Sequence, residues 1–134
     1  MKNFKKIIVA VLVSISFAAS AQTKSKVIVL LTKANWCSIC IANGARTVAN
    51  FGNNNKDDFF QIVANDVTDK KSKTASIIDL KKAGIDKISK NYFAPGVLTF
   101  IDSKTKKVLS QITVANSDEE LTTTMNNIRD VASK

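Results

Sequence analysis

The stretch VIVLLTKANWCSIC, residues 27–40, joins an apolar run to both cysteines of the chain. Its first half is rich in Val, Ile and Leu without polar interruption, which is typical of a strand buried on both faces of a sheet. From Cys37 onward, apolar residues recur every three or four positions, as on one face of a helix: Ile41, Ala45, Val48 and Phe51. The stretch therefore predicts a strand that leads directly into a Cys-x-x-Cys pair at the start of a helix.

The whole chain has 134 residues, of which 45% are hydrophobic and 23% charged, and this composition is that of one folded globular domain. Residues 1–21 have the pattern of a secretory signal peptide, because three lysines precede an apolar run that ends at the A-x-A site 19–21. The competing interpretation is an uncleaved membrane anchor, but the run is shorter than the about 20 residues that a bilayer core requires. We therefore expect a periplasmic or secreted domain of residues 22–134.

The formal net charge of the chain is +9. Most basic residues are spread along the sequence, and the short clusters are Lys70, Lys71 and Lys73, and Lys104, Lys106 and Lys107. Aromatic residues are not interleaved with these clusters, so a solvated basic surface explains them better than nucleic-acid binding does. At most, the charge favours acidic partners or an anionic membrane surface.

The remaining elements follow from apolar spacing and turn residues. A second buried strand is predicted over residues 59–66, a helix over 74–84 that ends at Gly84, and a short helix or irregular segment over 85–94. Two strands within 94–102 and 108–114 form an antiparallel hairpin. A last helix begins with Ser117 and Glu120 in capping-box spacing and has one apolar face, formed by Leu121, Met125, Ile128 and Val131. This order predicts an α/β fold with a central mixed sheet covered by helices on both faces.

The two cysteines are best explained as a redox pair. A structural staple is a poor explanation, since the loop between Cys37 and Cys40 has only two residues and its closure removes little entropy from the unfolded chain. A zinc site needs four ligands, covalent haem attachment needs a His after the second Cys, and a Cys-His hydrolase needs a His, but the chain has no His and no third Cys. No metal and no cofactor are therefore expected. Inert core cysteines remain an alternative.

At a helix N-terminus, the unpaired N–H groups favour a thiolate on the first cysteine. We expect Cys37 to be exposed and to attack a substrate disulfide, and Cys40 to point toward the core and to resolve the mixed disulfide.

The segments VIVLLTKANWCSIC, with Trp36 directly before the pair, and APGVLTF, with Pro95 opening a strand, resemble the two active-site segments of the thioredoxin family. The resemblance covers residues 26–133. It implies a thioredoxin fold in which Cys37 is the nucleophile and Cys40 the resolving thiol, and in which Trp36 packs beside the site. It also implies a cis peptide bond before Pro95, with Ala94 contacting an extended substrate. The implied partners are protein disulfide substrates and a membrane electron donor.

The chain departs from the family pattern at several positions. Ser38-Ile39 replaces the familiar Gly-Pro between the cysteines, and Gly96 replaces the common Thr after the proline. Leu31 stands where a typical reductase has a buried Asp, so the proton of Cys40 must pass to water or, as a less favoured choice, to Asp66.

The direction of electron flow is inferred from what the motif lacks. Strong oxidants of this superfamily stabilise the thiolate with a His inside the motif, whereas here the nearest cation is Lys33. A disulfide reductase is therefore favoured over an oxidase or isomerase. The alternative from another class is a non-catalytic thioredoxin-like binding module.

Overall fold

The computed structural model describes residues 25–134. Its elements in chain order are β1 Val27–Lys33, α1 Ser38–Asn53, β2 Phe60–Asp66, α2 Lys70–Lys82, α3 Asp86–Ser89, β3 Val97–Asp102, β4 Val108–Thr113 and α4 Asp118–Ala132. The predicted α/β class, the two-strand hairpin and the final helix are confirmed, and the architecture is compatible with a thioredoxin-like fold.

The four strands form one mixed sheet in the order β2-β1-β3-β4. β1 pairs in parallel with β2, as Leu31 opposite Ala64, and antiparallel with β3, as Leu31 opposite Leu98. β3 then pairs antiparallel with β4. Because of these directions, β1 and β2 end at the edge of the sheet where β3 begins. The segments that follow β1 and β2 and the one that precedes β3 therefore meet at one end of the molecule.

The continuous apolar run of β1 is explained by two separate cores, one on each face of the sheet. Val27 and Val29 pack with α1 and α4 residues, including Phe51, Leu121 and Met125. Ile28 and Leu30 point to the other face and pack with residues of the α2–α3 region, including Leu80 and Ile85. Alternate residues of one strand thus hold helices on both faces, as predicted.

The predicted apolar face of α1 is wrong at Ile41, Ala45 and Val48 and confirmed at Phe51. Ile41 is 71% exposed and Val48 is 50% exposed, whereas Thr47 and Phe51 are the buried residues of this helix. The Thr47 hydroxyl donates to the Val114 carbonyl oxygen at 3.2 Å, so a polar side chain holds α1 against the end of β4. The helix is therefore rotated about its axis relative to the prediction. The spacing of apolar residues could not indicate this, because it takes no account of a buried threonine.

Two helix boundaries show how caps decide where helices begin. α2 begins at Lys70, earlier than apolar spacing predicts, because the Asp69 side chain accepts a hydrogen bond from Ser72 N at 2.7 Å. The predicted capping box of α4 is confirmed, with Ser117 and Glu120 bonded reciprocally. Val131 of α4, predicted to lie on its buried face, is exposed.

The proposed signal peptide, residues 1–21, lies outside the described residues. Within residues 25–134, none of the helices is long and apolar enough to cross a membrane.

Arg129 of α4 fixes the loop that leads into β2. Its guanidinium donates to the Asp57 carboxylate at 2.9 Å and to the Asn54 carbonyl oxygen at 2.9 Å, and it lies 4.8 Å from the centre of the Phe59 ring. The hydrogen bond from Arg129 lowers the pKa of Asp57 from 3.8 to about 2. Asp57 therefore stabilises the fold above pH 3.8, and this contribution is lost as the pH falls through about 2.

We predict that Asp57→Asn lowers the thermal unfolding midpoint at pH 7 and that the difference from wild type becomes small as the pH falls to about 2. Thermal unfolding followed by circular dichroism at the two pH values measures it. Asp58→Asn removes an equal charge from the same loop without touching Arg129 and is the control. A difference that persists unchanged at pH 2 would contradict the assignment.

Candidate active site

The two cysteines lie at the N-terminus of α1 and form a disulfide. Cys37 is the N-cap residue, with φ −82° and ψ 109°, and its sulfur accepts a hydrogen bond from Cys40 N at 3.3 Å. The Cα atoms of the pair are 5.2 Å apart. The predicted position of the first sulfur at a helix terminus is thus confirmed, and a backbone N–H already points at the atom on which a thiolate would form.

The expected burial of the pair is wrong in its direction. Cys37 is only 8% exposed, whereas Cys40 is half-buried and faces a cavity of about 270 Å³. Gly44, one helical turn after Cys40, also lines this cavity, and a Cβ atom added to it would find no atom within 4 Å. Missing side-chain volume at Gly44 leaves the space beside Cys40 open.

The same cavity is lined by Leu31, Lys33 and Asp66. Asp66 lies 3.4 Å from Lys33 Nζ, and hydrogen bonds from Thr68, followed by the charge of Lys33, lower the pKa of its carboxyl. Both carboxylate oxygens of Asp66 are already engaged, one by the backbone N–H of Thr68 and the other by Lys33. The cavity volume is several times the about 30 Å³ that a water molecule occupies, so water can reach Cys40 and carry its proton away.

The predicted cis bond before Pro95 is wrong: the Ala94–Pro95 peptide bond is trans. The trans form is lower in free energy for X–Pro bonds by about 0.5–1 kcal/mol, and Gly96 supplies the turn instead. Its φ of +84° is the value that the third residue of a type II turn requires, with proline common just before it. Gly96 N donates to the Thr32 carbonyl oxygen at 2.8 Å, which ties the turn to β1.

Gly96 also brings this turn against the cysteine motif. A Cβ atom on Gly96 would lie 2.5 Å from Ile39 Cδ1 and 3.6 Å from Cys40 Sγ. The two unusual positions, Ile39 between the cysteines and Gly96 after the proline, are therefore in contact. Ile39 occupies the volume that a side chain at position 96 would need.

Trp36 and Ala94 are both exposed beside the pair. Trp36 is 62% exposed, and its Nε1 donates to the Thr68 carbonyl oxygen at 3.1 Å, so the indole is held by the β2–α2 loop without being buried. Ala94 and the 65% exposed Phe93 line a groove of about 460 Å³ beside β4, one of the two edge strands of the sheet.

Sequence reasoning missed Phe93, Thr68 and Thr32. Phe93 could have been found from its place just before Ala94-Pro95, since an aromatic next to a predicted substrate-contacting turn is a candidate contact. Thr68 and Thr32 hold the loops around the site with hydrogen bonds from their backbone carbonyl oxygens and hydroxyl groups. No pattern of side chains in the sequence indicates such bonds.

A comparison with models of known protein families finds no match, and a comparison with curated protein sequences finds none either. The fold and the site therefore define the class of this protein by themselves. It is a small α/β protein that carries a Cys-x-x-Cys disulfide at a helix N-terminus, an arrangement consistent with a thioredoxin-like protein.

We predict opposite effects on stability for alanine at two glycines near the pair. Gly96→Ala destabilises the oxidised protein by about 1–2 kcal/mol or more, because its φ is left-handed and its Cβ meets Ile39. Gly44→Ala stabilises it by about 0.5–1 kcal/mol, because this residue lies inside α1 with open space at its Cβ. Urea unfolding measures both, and equal effects at the two positions would contradict the described packing.

Proposed function

We propose that residues 22–134 form an exported thiol-disulfide oxidoreductase of the thioredoxin family that acts as a disulfide reductase through Cys37 and Cys40. The observation that carries the proposal is the disulfide at the N-terminus of α1, with a backbone N–H directed at Cys37 Sγ. Such a terminus stabilises the thiolate, which is the attacking species in disulfide exchange. Export rests on the leader pattern of residues 1–21, and it takes the protein to the periplasm or outside the cell.

The reaction starts from the reduced dithiol. The Cys37 thiolate attacks one sulfur of a substrate disulfide, a mixed disulfide forms, and one substrate thiolate leaves. Cys40 then loses its proton to water in the adjoining cavity and attacks Cys37 Sγ. The mixed disulfide breaks, the second substrate thiolate leaves, and the Cys37–Cys40 disulfide forms. Two electrons pass from the protein dithiol to the substrate, and an external dithiol or membrane electron donor must return them.

The surroundings of the pair support a polypeptide substrate. Trp36, Ile39 and Phe93 present exposed apolar surface next to the disulfide. The groove beside Ala94 is lined by residues of β4, which is an edge strand, and edge strands are the places where an extended polypeptide can add to a sheet. Protein disulfides fit such a surface better than a small-molecule disulfide does, because exposed aromatic and branched side chains are typical contacts between polypeptides.

The direction of reaction rests on how the thiolate is stabilised. Cys37 Sγ accepts one N–H at the helix terminus, and no His exists in the chain to add a charge. Less stabilisation of the reduced form means a more reducing couple.

We predict that the reduction potential of the pair lies nearer the about −270 mV typical of reductases than the about −120 mV of strong oxidants. Titration with glutathione and dithiothreitol buffers, read by Trp36 fluorescence, measures it. A potential near the oxidant value would reverse the proposed direction. A pair that stays in one state across the accessible range would support the binding module instead.

We predict that the domain catalyses insulin reduction by dithiothreitol and that Cys37→Ser abolishes this activity. The substitution keeps the size of the side chain and its hydrogen bond from Cys40 N but removes the nucleophile. Turbidity of the reduced B chain measures the rate, and Ser38→Ala, which changes the exposed neighbour without touching either sulfur, is the control. Equal rates for wild type and Cys37→Ser would overturn the assignment.

We predict that Cys40→Ser accumulates mixed disulfides with substrate proteins, because the attacking thiol is kept while its resolving partner is lost. Non-reducing electrophoresis of extracts from the exporting cell reveals these species, which must vanish on addition of dithiothreitol. The double variant Cys37→Ser/Cys40→Ser is the control and should trap none. Trapping by Cys37→Ser rather than Cys40→Ser would exchange the roles of the two cysteines.

A further inference from the structure

We propose that Lys70, Lys71 and Lys73, together with Trp36, form a docking surface for an acidic segment of the polypeptide whose disulfide is reduced. The proposal rests on the proposed function and adds to it the charge of the preferred substrate. We call these four residues the basic flank of the disulfide.

The lysines are held close to the redox pair by the β2–α2 loop. Thr68 in this loop accepts the Trp36 indole N–H on its carbonyl oxygen at 3.1 Å and the Asn35 backbone N–H on its hydroxyl at 2.9 Å. Lys70 follows Thr68 by two residues, a span of at most about 7 Å. A partner that presents its disulfide to Cys37, the residue after Trp36, must therefore pass the start of α2.

The basic flank is open to solvent. All three lysines and Trp36 are exposed. Within residues 25–134, the ion pairs are Lys33 with Asp66, Arg46 with Asp118 and Arg129 with Asp57, so none of them uses a lysine of the flank. Asp69, the carboxylate next to the lysines, is engaged by Ser72 N as the helix cap. Three cations beside one carboxylate leave a net positive surface.

The placement of these cations does not serve the fold. The N-terminus of a helix carries a partial positive charge, so cations in its first turns are unfavourable and acidic residues are preferred there. α4 follows the rule, with Asp118, Glu119 and Glu120 in its first turn, whereas α2 has no acidic residue in its own. Charges placed against local stability beside a functional site are expected where the site needs them.

Several cations elsewhere in residues 25–134 have structural roles that the flank lysines lack. Arg46 donates to the Val114 and Asn116 carbonyl oxygens, and Lys106 Nζ donates to the Ala83 and Ser103 carbonyl oxygens. Lys104 and Lys107 are exposed like the flank, but they lie in the β3–β4 connection, at the end of β3 remote from the disulfide. These two residues supply a matched control of equal charge type.

An acidic polypeptide is the occupant that these features fit. The lysines attract negative charge within a screening distance of about 8 Å at physiological salt, and Trp36 links them to a disulfide whose proposed substrates are polypeptides. Such complementarity chiefly accelerates productive encounter and is weakened by salt.

The test uses three disulfide-linked peptides that differ only in flanking residues: Glu, Gln or Lys. We expect wild type to reduce the Glu peptide about three- to tenfold faster, in kcat/KM at low salt, than the Lys peptide. The variant Lys70→Gln/Lys71→Gln/Lys73→Gln should bring this ratio close to one while the Gln peptide is reduced at the wild-type rate. Lys104→Gln/Lys107→Gln should keep the ratio, and high salt should remove it for every protein.

Two further readouts keep the proposal falsifiable. Binding of the Glu peptide to the oxidised protein, followed by the fluorescence of Trp36, is independent of turnover, so it tests the flank even if no peptide is reduced and the proposed function fails. The thermal unfolding midpoint of the triple variant should stay level or rise by a few degrees, since unfavourable charges leave the helix terminus. A fall in that midpoint would contradict the argument that these lysines work against stability.

Three results would overturn the proposal. The first is a Glu-to-Lys ratio that the triple variant leaves unchanged. The second is an equal loss of that ratio in the Lys104/Lys107 control, which would assign the preference to net charge alone. The third is a triple variant that loses binding to phosphatidylglycerol vesicles and keeps the peptide preference, which would assign the lysines to a membrane surface.

Discussion

The end of β1 anchors every segment that surrounds the disulfide. The Thr32 carbonyl oxygen accepts Gly96 N at 2.8 Å and the Lys33 carbonyl oxygen accepts Val67 N at 2.8 Å. Asn35 N continues the series by donating to Thr68. An unsatisfied buried backbone group costs about 1–3 kcal/mol, so these bonds hold the two loops firmly relative to the strand. Cys37 follows the same strand within a few residues. The pairing of the strands therefore sets the positions of the cysteines and of the two loops beside them.

Ile39 and Gly96 are best understood as one feature. A branched side chain between the cysteines needs room, and the absent side chain at position 96 provides it, because a Cβ atom there would lie only 2.5 Å from Ile39 Cδ1. Gly96 is also the residue that adopts φ +84°. The same glycine thus makes the turn after the trans proline and accepts the isoleucine. Two separate departures from the thioredoxin pattern become one alternative way of closing the proline turn onto the pair.

Local patterns predicted the elements well where one face was clearly apolar, as in α4 and in β1. They failed where polar or missing side chains decide the packing. The rotation of α1 depends on the Thr47 hydroxyl and on Gly44, neither of which counts in an apolar stripe. The prediction that Cys40 points toward the core failed for the same reason, because Cys40 faces the cavity that Gly44 leaves open. The cis bond before Pro95 was predicted only from the resemblance to thioredoxins. In this chain Gly96 makes the turn after a trans proline.

The basic flank and the redox chemistry are nearly independent of each other. At the effective dielectric constant of about 20 found near a protein surface, a lysine about 10 Å from a thiolate interacts with it by about 1.7 kcal/mol, and physiological salt screens this to about 0.5 kcal/mol. For a two-electron couple, about 30 mV corresponds to 1.4 kcal/mol, so one such lysine shifts the potential by about 10 mV. The same charge acts on every carboxylate of an approaching acidic segment. Selection can therefore tune partner preference at α2 without changing the direction of electron flow, which depends on groups in contact with Cys37 Sγ.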